Sequence, residues 1–125
     1  MEIRNNIVTY AAALIVLFTV SSFPAGVLAS DPAEMTVKIT AKKFEYSPNE
    51  IRIKKGIPVI LEFTSLDRVH GFFVADLGAI RATIEPGKIT QVRIVAPKAG
   101  TYEFHCDIFC GDGHEGMTGT IIVED

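Results

Sequence analysis

Four side chains with sulfur or nitrogen donors lie within twelve residues near the carboxyl end of the chain: Cys106, Cys110, His114 and Met117. Thiolates, an imidazole and a thioether are soft ligands, which favour copper over calcium or magnesium. Three glycines interrupt the segment, at positions 111, 113 and 116. They disfavour a helix and predict a tight loop that can curl around a metal. Such a loop leaves coordination positions open, so another part of the chain has to supply a further ligand.

The missing imidazole is His70, which lies where a predicted loop enters a strand. Two imidazoles, one thiolate and a weak Met are the ligand pattern of a mononuclear blue-copper site. Cys106 is surplus to that scheme. Two thiolates can instead bridge two coppers, with one imidazole for each metal. Met117 then completes one copper, and a backbone carbonyl between the cysteines completes the other.

Two alternatives use the same residues. In an oxidising compartment, two cysteines form a structural disulfide by default. A Cys106–Cys110 disulfide would leave the convergence of His70, His114 and Met117 to coincidence. Zinc would take the two thiolates and two imidazoles in a tetrahedral site. The Cys-x3-Cys spacing in a glycine-rich loop that ends in Met favours copper over zinc.

The chain from residue 31 onward predicts an all-β domain, because short runs with period-two alternation recur between turn residues. The runs are 35–41, 51–53, 58–64, 70–74, 80–84, 90–95, 101–105 and 119–124. Their spacing predicts an antiparallel sandwich or small barrel with Greek-key connections. Residues 44–50 are interpreted as a bend, and the dense run 58–64 as a strand buried on both faces.

Alternation also assigns side chains near the loop to faces of the sheet. Phe104 and Cys106 are expected to face the core together with Tyr102, whereas His105 points outward. His105 is therefore interpreted as a surface or outer hydrogen-bonding residue and not as a ligand. Four phenylalanines are expected to lie in the core or to shield the metal from water: Phe72, Phe73, Phe104 and Phe109. Three acidic residues around the loop are either solvated charges or a docking ring for a basic redox partner: Asp107, Asp112 and Glu115.

The amino-terminal segment predicts export. Arg4 precedes an apolar run over residues 7–20, and small or aliphatic side chains at Val27 and Ala29 suit cleavage after Ala29. Residues 1–29 are therefore interpreted as a signal peptide, with an uncleaved membrane anchor as the alternative. Either way, the domain is expected in the periplasm or another extracytoplasmic space. A net charge of −3 without a long Lys/Arg cluster argues against nucleic-acid binding.

The spacing Cys-x3-Cys-x3-His-x2-Met, with His-Gly-Phe upstream, resembles the binuclear copper A domain of haem–copper oxidase subunit II. A similar domain occurs in nitrous-oxide reductase. The resemblance covers roughly residues 36–125 and implies a cupredoxin-like Greek-key sandwich. It implies Cys106 and Cys110 as bridging thiolates, His70 and His114 as imidazole ligands and Met117 as the thioether ligand. It also implies that the backbone carbonyl of Ile108 is the remaining weak ligand.

The resemblance implies a carrier of single electrons between a donor such as cytochrome c and a terminal oxidase or reductase. No substrate pocket or general acid–base pair can be identified in the sequence, so catalysis by this chain alone is not expected. Two other functions use the same ligands. One is copper delivery or storage, and the other is electron transfer by a mononuclear blue-copper site.

Overall fold

Nine β-strands form most of residues 34–125, the part of the chain that the computed structural model describes. They are β1 (Met35–Lys42), β2 (Glu45–Ser47), β3 (Glu50–Lys54), β4 (Val59–Ser65), β5 (His70–Val74), β6 (Ile80–Ile84), β7 (Thr90–Ile94), β8 (Gly100–His105) and β9 (Thr118–Glu124). The predicted signal peptide lies outside the described residues. Within residues 34–125, no helix has the length and apolar character that a membrane crossing requires.

The strands form two sheets, in the orders β2-β1-β4-β7 and β3-β9-β8-β5-β6. The predicted all-β class is confirmed, but two strand pairs depart from the expected antiparallel arrangement. β1 pairs in parallel with β4, and β3 pairs in parallel with β9. Alternation within a strand reports which side chains face the core. It does not report which strand lies alongside, and the parallel pairs were missed for that reason.

Two local predictions are also corrected. Part of the expected bend is the three-residue strand β2, which pairs antiparallel with β1 and buries Tyr46. So short a strand, next to Pro48, carries almost no period-two signal. β4 is fully buried on one face only, because Glu62 lies on the other face and accepts a hydrogen bond from Gln91.

Aromatic rings join the two sheets. The Phe63 ring on β4 lies 4.7 Å from that of Phe72 on β5, and Phe72 lies 5.2 Å from Phe104 on β8. Tyr46 contacts the Phe104 ring edge-on at 5.0 Å. Each buried Phe side chain stabilises the fold by about 1.5–3 kcal/mol. Since β5 and β8 carry the loops with the candidate ligands, this packing gives those loops a rigid base.

Candidate metal centre

The segment from Cys106 to Met117 connects β8 to β9 and closes on itself through the backbone. The amide of Cys106 donates to the carbonyl of Met117 at 3.1 Å. Inside the loop, the amide of His114 donates to the Gly111 carbonyl, and the amide of Met117 donates to the His114 carbonyl. Residues His114–Gly116 form a short 3-10 turn. The tight loop predicted from the glycines is therefore present, and its ends are held together. We call residues 106–117 the ligand loop.

Inside the ligand loop, the predicted donors converge on Cys110. Its Sγ lies 3.7 Å from the Sγ of Cys106, 3.7 Å from His114 Nδ1 and 3.8 Å from the Sδ of Met117. The Sγ of Cys106 lies 3.0 Å from the carbonyl oxygen of Ile108. Both cysteines are free thiols, and the sulfur separation is well beyond the roughly 2.05 Å of a disulfide. All five ligand-loop candidates thus lie around one small volume.

His70, the first residue of β5, reaches the same volume from outside the ligand loop. A ring nitrogen of His70 and the two cysteine sulfurs lie within 4.8 Å of one another. The imidazole is fully buried, and its Nε2 is 2.6 Å from Asp67 Oδ1. Because an ionised carboxylate only accepts hydrogen bonds, Nε2 donates to Asp67, and Nδ1 is the ring nitrogen left to bind a metal.

The Nδ1 atom of His70 is the one buried side-chain nitrogen or oxygen among residues 34–125 that has no hydrogen-bond partner. Leaving such an atom unsatisfied costs about 1–3 kcal/mol. A metal bound by this lone pair, beside two thiolates, would remove that cost. The donor set is sulfur- and imidazole-rich and therefore fits copper.

Asp67 is itself held in place. The backbone amides of Lys43 and Arg68 donate to its carboxylate at 2.7 and 2.6 Å. Burial alone would raise the pKa of Asp67, but the hydrogen bonds from His70 and these two amides outweigh it and lower the pKa to about 2. The carboxylate is therefore ionised and fixes the proton on Nε2. Such outer partners orient a ligating imidazole and increase its basicity.

The thiols require deprotonation before they can bind a metal. Burial, together with the neighbouring Cys106, raises the pKa of the Cys110 thiol. The metal-free site therefore holds a proton on this sulfur near neutral pH. A bound metal would displace that proton, so binding should release it to solvent.

Two aromatic residues lie beside the candidate ligands, a role that the sequence did not indicate: Phe44, in the β1–β2 turn, covers the ligand loop, and Tyr46, in β2, bonds to Gly71 on β5. Phe44 packs so closely on the loop that a Cβ at Gly113 would lie 2.3 Å from its ring. A Cβ at Gly111 would lie 3.0 Å from the same ring, and Gly111 also has a φ of +138°. The hydroxyl of Tyr46 donates to the Gly71 carbonyl at 2.6 Å. Burial, followed by the nearby Cys106, raises the pKa of Tyr46, which keeps this donor protonated.

The contacts of Phe44 and Tyr46 depend on how the segment after β1 packs against distant parts of the chain, which no local pattern encodes. The glycines of the ligand loop were the available sequence signal for this close packing, because Gly111 and Gly113 leave room for the ring of Phe44.

The faces predicted for β8 are confirmed at Phe104 and Cys106, which are buried. His105 lies on the opposite face, where its ring contacts that of Phe73 edge-on at 5.3 Å. Phe73 is therefore not a core residue, and the guanidinium of Arg81 lies 4.2 Å from its ring centre.

Phe109 is also not a core residue, because its side chain is 76% exposed. In the ligand loop there is no strand alternation to direct it inward. Asp107 does not form part of a free acidic ring, since its side chain is mostly buried and pairs with Arg81 at 2.7 Å.

A family model described as the cupredoxin-like domain matches residues 10–123. The chain belongs to the cupredoxin-like family. This cupredoxin is 35% identical over 99 residues to subunit 2 of cytochrome c oxidase from Thermus thermophilus, over 79% of this chain and 73% of the relative. It is 34% identical over 95 residues to nitrous-oxide reductase from Ralstonia nicotianae. That match spans 73% of the cupredoxin but only 15% of the reductase.

Among solved structures, the cupredoxin matches a chain of a heme-copper terminal oxidase dimer with a TM-score of 0.65 and 32% identity. The match covers 74% of this chain and 66% of the other. The resemblance to oxidase subunit II and to nitrous-oxide reductase, drawn from the ligand-loop spacing, is confirmed by these relatives. The cupredoxin is thus much shorter than the reductase and shorter than the oxidase chain.

Proposed function

We propose that this cupredoxin is an exported electron-transfer protein with a binuclear copper A centre. The observation that carries the proposal is the pair of buried, free thiols whose sulfurs lie 3.7 Å apart, with an imidazole nitrogen close by on each loop. One thiolate would suffice for a mononuclear site. When bound, a copper pair bridged by two thiolates supplies one-electron redox chemistry with the charge change spread over both metals.

Each ligand has a defined place in this proposal. Cys106 and Cys110 would hold both metals, and His70 and His114 would hold one each. Met117 supplies the weak thioether and the Ile108 carbonyl the other weak ligand. The carbonyl lies beside Cys106 Sγ, and Met117 Sδ lies beside Cys110 Sγ. Each weak donor is therefore next to a different cysteine. A backbone carbonyl does not depend on the side chain at position 108.

Burial argues against a delivery or storage role. Cys106 and Cys110 are only 2% and 1% exposed, and Met117 is fully buried. A protein that hands copper to a partner needs ligands that the partner can reach. The site here instead excludes water, which keeps a redox centre rigid and strengthens the electrostatic effects of nearby charges.

Copper reconstitution of the purified protein tests the proposal. We expect two coppers per chain by metal analysis, and an electron paramagnetic resonance signal from one unpaired electron shared by both. The closely packed donors of the ligand loop and His70 would hold both metals close enough to share this electron. One copper with a blue-type spectrum, or preferential binding of zinc, would contradict the binuclear site.

The proposed partners are a cytochrome c as electron donor and a terminal oxidase or reductase as acceptor. The relatives support this choice, since one is a subunit of cytochrome c oxidase and another is nitrous-oxide reductase. We further propose that residues 1–29 direct export, and that residues 36–125 act on the extracytoplasmic side. Contact with a membrane would come only from the amino-terminal segment, if it is retained.

Exposed apolar side chains give the proposed donor a place to dock. They lie in the ligand loop and in the neighbouring β4–β5 and β6–β7 connections: Phe109, Leu66, Val69 and Ile89. The ring of Phe109 lies 5.8 Å from that of His114. An electron entering over Phe109 would therefore be close to a copper ligand. Since Asp107 is paired with Arg81, we assign docking mainly to apolar contact.

Replacing Phe109 by alanine is expected to slow electron uptake from a reduced cytochrome c about tenfold, because a large exposed aromatic anchor is lost. Stopped-flow measurements at several salt concentrations would detect the slower uptake. The copper spectrum of the variant should be unchanged, because Phe109 is not a ligand. The control is Ile57→Ala, which removes a 54% exposed side chain in the turn before β4, at the opposite end of that strand. A salt-dependent loss in an Asp112→Asn/Glu115→Gln variant, with none in Phe109→Ala, would show that docking is electrostatic.

A further inference from the structure

Arg68 links the β4–β5 connection, which leads into His70, to the ligand loop. It lies in the β4–β5 connection, two residues before His70. Its Nη1 donates a hydrogen bond to the carbonyl oxygen of Cys110, 42 residues away, at 2.8 Å. This is a charge-assisted bond, which is stronger than one between neutral groups. It fixes the peptide unit that follows a central thiolate.

The backbone around Arg68 is rigidly held. Its amide donates to Asp67 Oδ1 at 2.6 Å, and its carbonyl accepts a hydrogen bond from the Ser65 hydroxyl. The guanidinium lies against Gly111, where a Cβ would be 3.8 Å from Nη1. The Arg68 side chain is therefore anchored at its base and engaged at its tip.

The charge of Arg68 is not cancelled by a contacting acid. Within residues 34–125, its guanidinium makes no ion pair. The nearest carboxylate on its own loop, Asp67, is occupied by His70 and by the amides of Lys43 and Arg68. Arg81, in contrast, is paired with Asp107. A positive charge that is unpaired within the described residues thus lies 2.8 Å from the carbonyl oxygen of Cys110.

We propose that Arg68 is a positioning residue of the metal centre that also favours its reduced form. The inference rests on the proposed copper function. One electron received from a reduced protein donor lowers the net charge of the centre by one. A fixed positive charge nearby stabilises the more negative state and raises the reduction potential. The hydrogen bond to Cys110 holds the ligand loop against the His70 loop in both states.

Two substitutions separate these roles. Arg68→Gln removes the charge and, being shorter, the bond to Cys110, whereas Arg68→Lys keeps the charge but loses the planar guanidinium donor. In the copper-loaded protein at a fixed applied potential, Arg68→Gln should lower the ratio of reduced to oxidised centre about fivefold. Arg68→Lys should retain most of the wild-type ratio. Arg52→Gln, which makes the same charge change where Glu50 and Glu124 neutralise the arginine, is the control.

Metal-free protein supplies the second measurement. Amide hydrogen exchange at His114 and Met117, whose amides bond within the ligand loop, should accelerate about tenfold in Arg68→Gln and not in Arg52→Gln. Unchanged exchange would overturn the positioning role, and an unchanged potential would overturn the electrostatic one. If the wild type binds one copper or prefers zinc, the proposed function fails. The exchange result would still report on the Arg68 contact.

Discussion

Serine at position 106 is expected to reduce the copper content from two ions per chain to one and to abolish the mixed-valence signal. The Sγ of Cys106 lies between the Cys110 sulfur and the Ile108 carbonyl, and it accepts a hydrogen bond from the amide of Gly71 at 3.2 Å. A serine hydroxyl is a hard donor that remains protonated, so it cannot bridge two coppers. Metal analysis and electron paramagnetic resonance measure both effects.

Cys110→Ser is the matched variant, and its loss should be larger. The Cys110 sulfur lies within 3.8 Å of donor atoms on three other side chains, those of Cys106, His114 and Met117. Its removal should therefore leave little copper of any kind. Two coppers with a shared electron in Cys106→Ser would refute the bridging role. Equal losses in the two variants would contradict the central place of Cys110.

Alanine in place of Gly71 is expected to weaken copper binding at least tenfold. A Cβ at this position would lie 2.2 Å from Asp107 Oδ1 and 2.9 Å from the backbone nitrogens of Asp107 and Ile108. Backbone atoms cannot move aside as a flexible side chain can, so the start of the ligand loop would be displaced. The shift would move Cys106 and the Ile108 carbonyl together. Overpacking of this kind also destabilises the fold by about 1–3 kcal/mol.

The control for Gly71→Ala is a glycine within the ligand loop, which Gly71 on β5 faces. A Cβ at Gly116 would meet nothing within 4 Å, so Gly116→Ala should bind copper like the wild type. Competition with a copper chelator gives the affinity, and thermal unfolding of the metal-free protein gives the stability. Wild-type affinity in Gly71→Ala would show that the loop relaxes around the added methyl group.

Some of the candidate site followed from spacing alone. Cys106, Cys110, His114 and Met117 are separated by so few residues that a glycine-rich loop must bring their donors close, given the short reach of each residue. The soft chemistry of the donors and the surplus thiol then indicated copper and suggested a pair of ions. The period-two runs likewise predicted the all-β class, since alternation is a property of each strand by itself.

Other features depended on contacts between distant segments. The sequence named His70 as the missing imidazole, but only the pairing of β5 with β8 places it beside the cysteines. The parallel partners of β1 and β3, the exposure of Phe109 and the covering of the loop by Phe44 follow from sheet order and loop direction. None of these has a local periodic signature.

The amino-acid sequence by itself thus determined which donors are available and that a β-sandwich carries them. The tertiary structure decided which other residues act on those donors. Gly71 lets the ligand loop approach β5, and Arg68 bonds to the Cys110 carbonyl. The physical reason is that a hydrogen bond or close approach across more than thirty residues is set by how the strands pack, whereas ligand type and local spacing are written directly in the chain.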